Sequence, residues 1–337
     1  MLAAILREPG PIALDRLELL EVPTPEPRPG EILVQVEACG VCRTDLHVTE
    51  GDLEVRRSPV IPGHQVVGRV VTAARDGAGP KVGERVGLGW LGDTCGDCRF
   101  CSSERENLCL TPEFTGWTRD GGFAEFVTAA PGFAYPIPDS LSAVHAAPLL
   151  CAGIIGYRCL ARTGLEGRWD GARLGIYGFG AAGHIAIQIA RARGARVFVC
   201  TRDQARHQKL AAELGAEWVG GASDEPPTPL DASIIFAPAG ELVPPALSAL
   251  DRGGVLVLGG IHMSPIPSLD YAKLYQERTI LSVTNNTRED GRRFFEEAAR
   301  VGVSTSVRTY PLEQAARALM DLKHDAIRGA AVVVPRS

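Results

Sequence analysis

Cys95, Cys98, Cys101 and Cys109 form a Cys-x2-Cys-x2-Cys-x7-Cys run within fifteen residues, close enough for four thiolates to surround one ion. Zinc takes such soft ligands tetrahedrally at about 2.3 Å, and a loop broken by Gly96 and Asp97 wraps it without a core of its own. Four protein ligands leave no open position, so this ion would be structural. The alternative is a pair of disulfides. Nine cysteines is an odd number, and Met1-Leu2-Ala3-Ala4-Ile5-Leu6 runs straight into a strand-like segment with no targeting peptide, so zinc in a cytoplasmic protein is the expectation.

A second constellation is Gly178-Phe179-Gly180-Ala181-Ala182-Gly183, placed after the strand-like Leu174–Tyr177 and before an alanine-rich helix. In that context Gly178 allows a tight turn, Gly180 lets a pyrophosphate approach the backbone, and Gly183 permits close helix-to-strand packing. The alternative is a glycine-rich turn that binds nothing. The next strand ends Val199-Cys200-Thr201-Arg202-Asp203, with Thr201 where an NAD site usually carries an acid. A hydroxyl followed by a guanidinium suits a 2′-phosphate, which favours NADP(H), with NAD(H) as the alternative. On that alternative Arg202 is a solvated residue at a helix start and Asp203 its cap.

The elements that must hold these residues fall into two styles, as 337 residues, more than one ordinary core supports, would suggest. Up to about residue 150, short β-branched runs such as Ile32–Val36, Val66–Val71 and Phe123–Val127 are punctuated by Pro and Gly, as a mostly-β domain is. Then strands and helices alternate: Leu174–Tyr177, a helix Ile185–Arg193, Arg196–Cys200, a helix Ala205–Leu214, Ala232–Phe236, Val255–Leu258 and Thr279–Val283. That pattern predicts a doubly wound parallel sheet. Helices over Glu289–Arg300 and Leu312–Leu322 and the strand Ala331–Val334 have no place in it and are assigned back to the first domain. The expected division is 1–150, 151–285 and 286–337.

Composition narrows the functions. Hydrophobic residues make up 45% and charged residues 22%, with no apolar stretch fit to span a bilayer. The balance of 35 basic against 40 acidic residues, a net charge of −5, repels a phosphate backbone, so neither nucleic acid nor membrane is an expected partner.

No local spacing groups Cys42, His64 and Cys151. A resemblance does: Cys39-Gly-Val-Cys-Arg-Thr-Asp-Leu-His47, Pro62-Gly-His-Gln-Val-Val-Gly68, the four-cysteine lobe, Gly121-Gly-Phe-Ala-Glu125 and Ala147-Pro-Leu-Leu-Cys-Ala-Gly153. In this order and with these gaps the chain resembles the zinc-dependent alcohol dehydrogenases of the medium-chain dehydrogenase/reductase superfamily. The resemblance implies a GroES-like, mostly-β catalytic domain, a doubly wound Rossmann cofactor domain and two zinc ions per chain. Cys42, His64 and Cys151 would hold a catalytic zinc with an open position, and Asp45 would orient the histidine. Thr44 and His47 would carry the alcohol proton outward, and Arg43 would contact the cofactor pyrophosphate. Cys39, Cys159 and Cys200 match no ligand position and are expected in cores.

The implied reaction is reversible hydride transfer between a primary or secondary alcohol and NAD(P). The alternatives are a polyol-type zinc dehydrogenase and a zinc- and nucleotide-binding module without turnover. Trp90, Phe114 and Trp117 are candidates to line the alcohol pocket, with packing as their alternative role. A homodimer or homotetramer joined through the nucleotide domain is implied. Three departures stand out: Gln65 where a glutamate often follows the ligand histidine, Ile155 in place of a threonine behind the nicotinamide, and Ala330 where an arginine often contacts the pyrophosphate.

Overall fold

The computed structural model describes residues 1–202 and 204–335, apart from the Arg206 side chain. They form two units, one of Met1–Cys151, Asn285–Ala299 and the chain from Ser304 on, the other of Ala152–Thr284 and Arg300–Val303.

The spine of the first unit is Ile32–Val41 (β1), whose apolar and small residues are buried at most positions. Such a strand needs partners on both edges, and it has them. Gln65–Thr72 (β2) pairs antiparallel with it, setting Gly40 opposite Gln65 and Cys39 opposite Val66. On the other edge Phe126–Ala129 covers its first half and Ala330–Val334 its second, with Val333 opposite Cys39. Arg85–Leu88 and Ala134–Pro136 extend the sheet beyond β2, and Val307–Pro311 extends it beyond the C-terminal strand. The strand expected at Phe123–Val127 starts later, because the chain around Phe123 is tied elsewhere: its N–H donates to Pro62 O at 3.0 Å and its carbonyl accepts from the Ala4 N–H at 2.8 Å.

β1 leads directly into a helix, Arg43–Glu50 (α1), closed by Gly51 at φ 84°, a conformation that favours glycine. Where the chain returns to the first unit, Asn286 Nδ2 donates to the Tyr135 hydroxyl at 2.9 Å. Two residues later the Arg288 N–H and Nε both donate to the buried Glu106 carboxylate, at 2.7 and 3.1 Å. Glu106 belongs to the four-cysteine lobe, so that lobe anchors the start of the helix Arg288–Val301.

In the second unit, Arg173–Tyr177 (β3), Arg196–Cys200 (β4), Trp218–Gly220 (β5), Leu230–Ile235 (β6), Leu250–Leu258 (β7) and Thr279–Ser282 (β8) form a parallel sheet. Its order is β5-β4-β3-β6-β7-β8, so the winding reverses between β3 and β6. Ligands of open α/β sheets sit outside the carboxyl ends of the strands at such a reversal. The helix expected to start at Ile185 begins earlier, at Ala181, and runs to Ala192 (α2), because Gly180 is its N-cap. The helix expected over Ala205–Leu214 is a turn of π-helix, Gln204–Gln208, followed by a short α-helix, Lys209–Glu213. Asp203, the alternative cap, lies outside the described residues.

Cys39, Cys159 and Cys200 are fully buried. Among the described residues no single helix is long and apolar enough to cross a membrane.

Candidate active site

The local sequence Cys42-Arg43-Thr44-Asp45 folds as a capping box in which a cysteine takes the place of the usual hydroxyl residue. Cys42 is the extended N-cap of α1, its sulfur accepts from the Thr44 N–H at 3.3 Å, and its own N–H donates to Asp45 Oδ2 at 2.9 Å. One motif thus closes the helix end and aims the sulfur. The second Asp45 oxygen accepts from His64 Nδ1 at 2.7 Å, and both residues are buried. That bond leaves Nε2 as the nitrogen available to a metal, 3.4 Å from Cys42 Sγ.

The third member, Cys151, lies between a turn of 3₁₀-helix, Ala147–Leu150, and the helix Ala152–Ala161. Cys151 itself, at φ −119° and ψ −75°, is the break between the two helical segments. The ligand atoms of Cys42, His64 and Cys151 all lie within 4.8 Å of one another.

Electrostatics couple the three. A hydrogen bond from the Cys151 thiol, followed by the charge of His64, holds Cys42 well below the ordinary thiol range against the cost of desolvation. The same bond, with burial, pushes the Cys151 thiol up. Burial opposes charge on His64, but Asp45 and Cys42 outweigh it and raise the imidazole. Two sulfurs and one imidazole nitrogen fit a soft divalent cation, whose entry would displace the protons of Cys151 and His64.

The relay candidates follow from α1. Thr44 and His47 are three positions apart and share a helix face. His47 Nδ1 donates to Asp52 Oδ2 at 2.7 Å, which leaves Nε2 as its basic nitrogen. Asp52 was not singled out from sequence. Its signal was the Gly51 helix stop, which folds the chain back so that the Asp52 N–H donates to His47 O at 3.0 Å. Arg43, at the first position of α1, pairs with Asp325 at 2.8 Å, both side chains being exposed.

Trp90, Phe114 and Trp117 stack as one group: Trp90 lies 5.0 Å from Phe114 and 5.7 Å from Trp117 between ring centroids. The edge of this stack meets His64, at 5.2 Å and 78° to Trp90. Gln65, next to His64, is buried with no hydrogen-bond partner for Nε2 among the described residues. Ile155 is half-buried in the helix Ala152–Ala161, and Ala330 opens its strand after Gly329 at φ 89°.

The four-cysteine lobe is a separate cluster. Its sulfur separations include 3.5 Å for Cys109 to Cys95, 3.6 Å for Cys98 to Cys101 and 3.9 Å for Cys95 to Cys101. Sulfurs tetrahedrally placed at about 2.3 Å from one ion lie about 3.8 Å apart, whereas a disulfide needs about 2.05 Å. The donor set therefore fits zinc and does not form disulfides. Backbone N–H groups of Cys95, Cys98 and Thr111 point at these sulfurs, each at 3.4 Å. Amide bonds from Cys101 and Leu110 draw the Cys98 thiol down to about 6, while an Asp97 contact pushes Cys95 up to about 12. Cys98→Ser is expected to lower the Tm by about 10 °C, on a loss of about 3 to 5 kcal/mol at about 2–4 °C per kcal/mol. Activity should fall only as a consequence. Scanning calorimetry with metal analysis checks this, and an unchanged Tm at lowered zinc content would refute a structural role.

In the second unit, Gly178 has φ 87°, and a Cβ there would lie 2.8 Å from Ala237 N, across the winding reversal. A Cβ on Gly183 would lie 2.8 Å from Gly178 O, whereas one on Gly180 would meet nothing within 4 Å. Gly178 and Gly183 therefore serve close packing, and Gly180 faces open space at the N-terminus of α2, with Ala181 and Ala182 in its first turn. An anion is favoured there. Thr201 is buried at the end of β4 and Arg202 beside it is exposed.

The sequence matches the family model described as "Alcohol dehydrogenase GroES-like domain" over residues 28–139 and the one described as "Zinc-binding dehydrogenase" over 181–300. A protein of Mycobacterium tuberculosis (strain CDC 1551 / Oshkosh) named "Probable alcohol dehydrogenase AdhA" is 53% identical over 335 residues, which cover 98% of this chain and 96% of that protein. The structure is similar to a cinnamyl alcohol dehydrogenase of Sorghum bicolor, with a TM-score of 0.86 and 26% identity over 99% of this chain and 97% of that one. It is also similar to the acetophenone reductase of Geotrichum candidum solved with NAD, with a TM-score of 0.84 and 25% identity over 99% and 96% of the two chains.

Proposed function

The chain belongs to the zinc-dependent alcohol dehydrogenases of the medium-chain dehydrogenase/reductase superfamily, and we propose that it interconverts its alcohol and carbonyl compound at Cys42, His64 and Cys151. The observation that carries this reading is the convergence of those three ligand atoms within 4.8 Å, with His64 oriented by a buried Asp45. The family's zinc and nicotinamide cofactor supply the chemistry. Zinc at this site supplies Lewis acidity that makes an alcohol hydroxyl easier to deprotonate.

This chain's residues do the rest. Thr44 accepts the alcohol proton on its hydroxyl oxygen as it gives up its own hydroxyl proton outward. His47 receives it on Nε2 and releases it to solvent, while Asp52 holds Nδ1 and fixes the tautomer. The aromatic group beside His64 provides an apolar wall for the alcohol, which favours medium-chain or aryl substrates. A second zinc at Cys95, Cys98, Cys101 and Cys109 is structural, so the expected content is two zinc ions per chain. Zinc-dependent turnover followed by dinucleotide absorbance over a panel of aldehydes and aryl ketones tests the whole reading. Polyols turned over in preference to aromatic alcohols would overturn the substrate class.

On the second unit, Gly178, Gly180, Ala181, Ala182 and Gly183 receive the pyrophosphate. Thr201 and Arg202 favour NADP(H), since nothing acidic at position 201 repels a 2′-phosphate and a guanidinium stands next to it. The specificity constant for NADPH is expected to exceed that for NADH by about tenfold, one charge-assisted hydrogen bond being worth about 1.5–3 kcal/mol. Thr201→Asp should reverse the preference. A clear advantage for NADH in the unaltered protein would show Arg202 to be a solvated surface residue.

The cytoplasm is the proposed location. A homodimer or homotetramer is the proposed assembly, built along β8, one of the two edge strands of its sheet. Light scattering on the purified protein reads the assembly directly.

A further inference from the structure

The π-helical turn Gln204–Gln208 carries two adjacent side chains that reach back to the carboxyl edge of the parallel sheet. His207 Nδ1 donates to Phe179 O at 2.6 Å. Gln208 Nε2 donates to Thr201 O at 2.9 Å and to Gly220 O at 3.2 Å. Phe179 lies in the glycine turn after β3, Thr201 follows β4 and Gly220 ends β5. Two consecutive residues therefore tie together the chain at the carboxyl ends of three neighbouring strands.

Each tie has a reason to be there. Helical bonding in α2 begins with Gly180 O, which accepts from the His184 N–H at 3.1 Å, so the preceding carbonyl of Phe179 has no helix amide due to it. Phe179 is buried, and a buried carbonyl needs a donor; among the described residues His207 supplies it. Because a carbonyl only accepts, Nδ1 carries the proton whether or not the ring is charged. Gly220 O already accepts from the Thr201 N–H at 3.0 Å, and Gln208 joins the same carbonyl while also holding Thr201 O. The backbone of Thr201 is thereby held on both its N–H and its carbonyl. π-Turns are rare and recur at functional sites, and here the wider turn presents consecutive side chains to different strand ends.

We infer that His207 and Gln208 are positioning residues of the dinucleotide site, His207 setting the phosphate-facing turn and Gln208 setting Thr201, where the adenosine ribose is discriminated. The inference rests on the reading of Gly178–Gly183 as the dinucleotide turn. Neither side chain needs to touch the cofactor. Preorganised amides lose affinity when the loop that carries them drifts, because binding must then order the loop as well. The two residues differ in what they hold, so their loss differs in kind. Loss of the His207 tie weakens the part of binding common to both dinucleotides. Loss of the Gln208 tie changes the ratio between them.

The test is calorimetric titration of the zinc-loaded protein with ADP-ribose and with 2′-phospho-ADP-ribose, which carry the pyrophosphate and the ribose without the nicotinamide. His207→Ala is expected to raise both dissociation constants about tenfold, or about 1.4 kcal/mol, and to leave their ratio unchanged. His207→Asn, whose amide still donates, should recover most of the loss. Gln208→Ala should change the ratio about fivefold or more, and Gln208→Glu, which cannot donate, should behave like it. Amide exchange over residues 178–184 in the ligand-free protein should quicken in His207→Ala and return in His207→Asn. If His207→Ala does not fold, His207→Leu is compared with His207→Asn in the same titrations. Unchanged dissociation constants in the His207 variants, or an unchanged ratio in the Gln208 variants, overturn the corresponding half. An unaltered protein that binds neither ligand overturns the dinucleotide reading and this inference with it. One that binds both, with all variants indifferent, overturns this inference alone.

Discussion

Replacing Cys151 by serine is expected to cut turnover by about 10³-fold or more while moving the Tm by no more than about 2 °C. Lewis-acid stabilisation is worth several kcal/mol, and each 1.36 kcal/mol is about a tenfold in rate. A serine hydroxyl is a harder and far less acidic donor than a thiol, and it holds zinc poorly beside one cysteine and one histidine. Stability is spared because Cys151 is a half-buried residue at a break between two helical segments. Serine differs there by one atom. Metal content should drop from two zinc ions per chain towards one. Cys98→Ser is expected to show the opposite pattern, so the two variants form a crossed pair. Elemental analysis, turnover and calorimetry on both give the answer, and full activity in a Cys151→Ser protein holding a single zinc would refute the assignment of the reactive site.

Thr44→Val should lower turnover by about 10²- to 10⁴-fold, the range of a lost proton-transfer group, with the dinucleotide dissociation constant nearly unchanged. Valine preserves shape and removes the hydroxyl. The backbone N–H of residue 44 still reaches Cys42 Sγ, so the capping box and the ligand sulfur stay in place. His47→Gln should cost less, because His47 stands at the outer end of the proposed path and is partly exposed. Its defect should shrink as pH rises or as imidazole is added, since an external base then takes over the last transfer. Pre-steady-state and steady-state rates across pH separate the two positions. Undiminished turnover in Thr44→Val would mean that the proton leaves by another path.

The parts of this protein legible in its sequence are those whose determinants are local. Four cysteines within fifteen residues need only a loop to bring their sulfurs within 4.8 Å, so spacing alone announces the cluster. The strand, glycine turn and helix around Gly178 are likewise contiguous, and β-branched runs against alanine-rich stretches mark the sheet and its crossings. Element ends were less legible. Phe123 looks like a strand residue, yet bonds to Ala4 and Pro62 take its backbone before a ladder can. Nothing in Gln204–Gln208 announces a π-turn, or that His207 and Gln208 bond the carbonyls of Phe179 and Thr201, which belong to other stretches of chain.

Tertiary structure decided what depends on residues far apart in the chain. Cys42, His64 and Cys151 share no period, and only the pairing of β1 with β2 places the start of α1 next to His64. Their relative acidities were equally hidden, since they arise from one buried carboxylate and one sulfur-to-sulfur contact. The Arg43 pair with Asp325, the Glu106 anchor of Arg288 and the contact of Trp90 with His64 also join distant segments. A sequence displays the ligand types a site can offer, because those are properties of single residues. Which donors meet, and at what distance, is set by strand register and helix ends, which follow from packing over the whole chain.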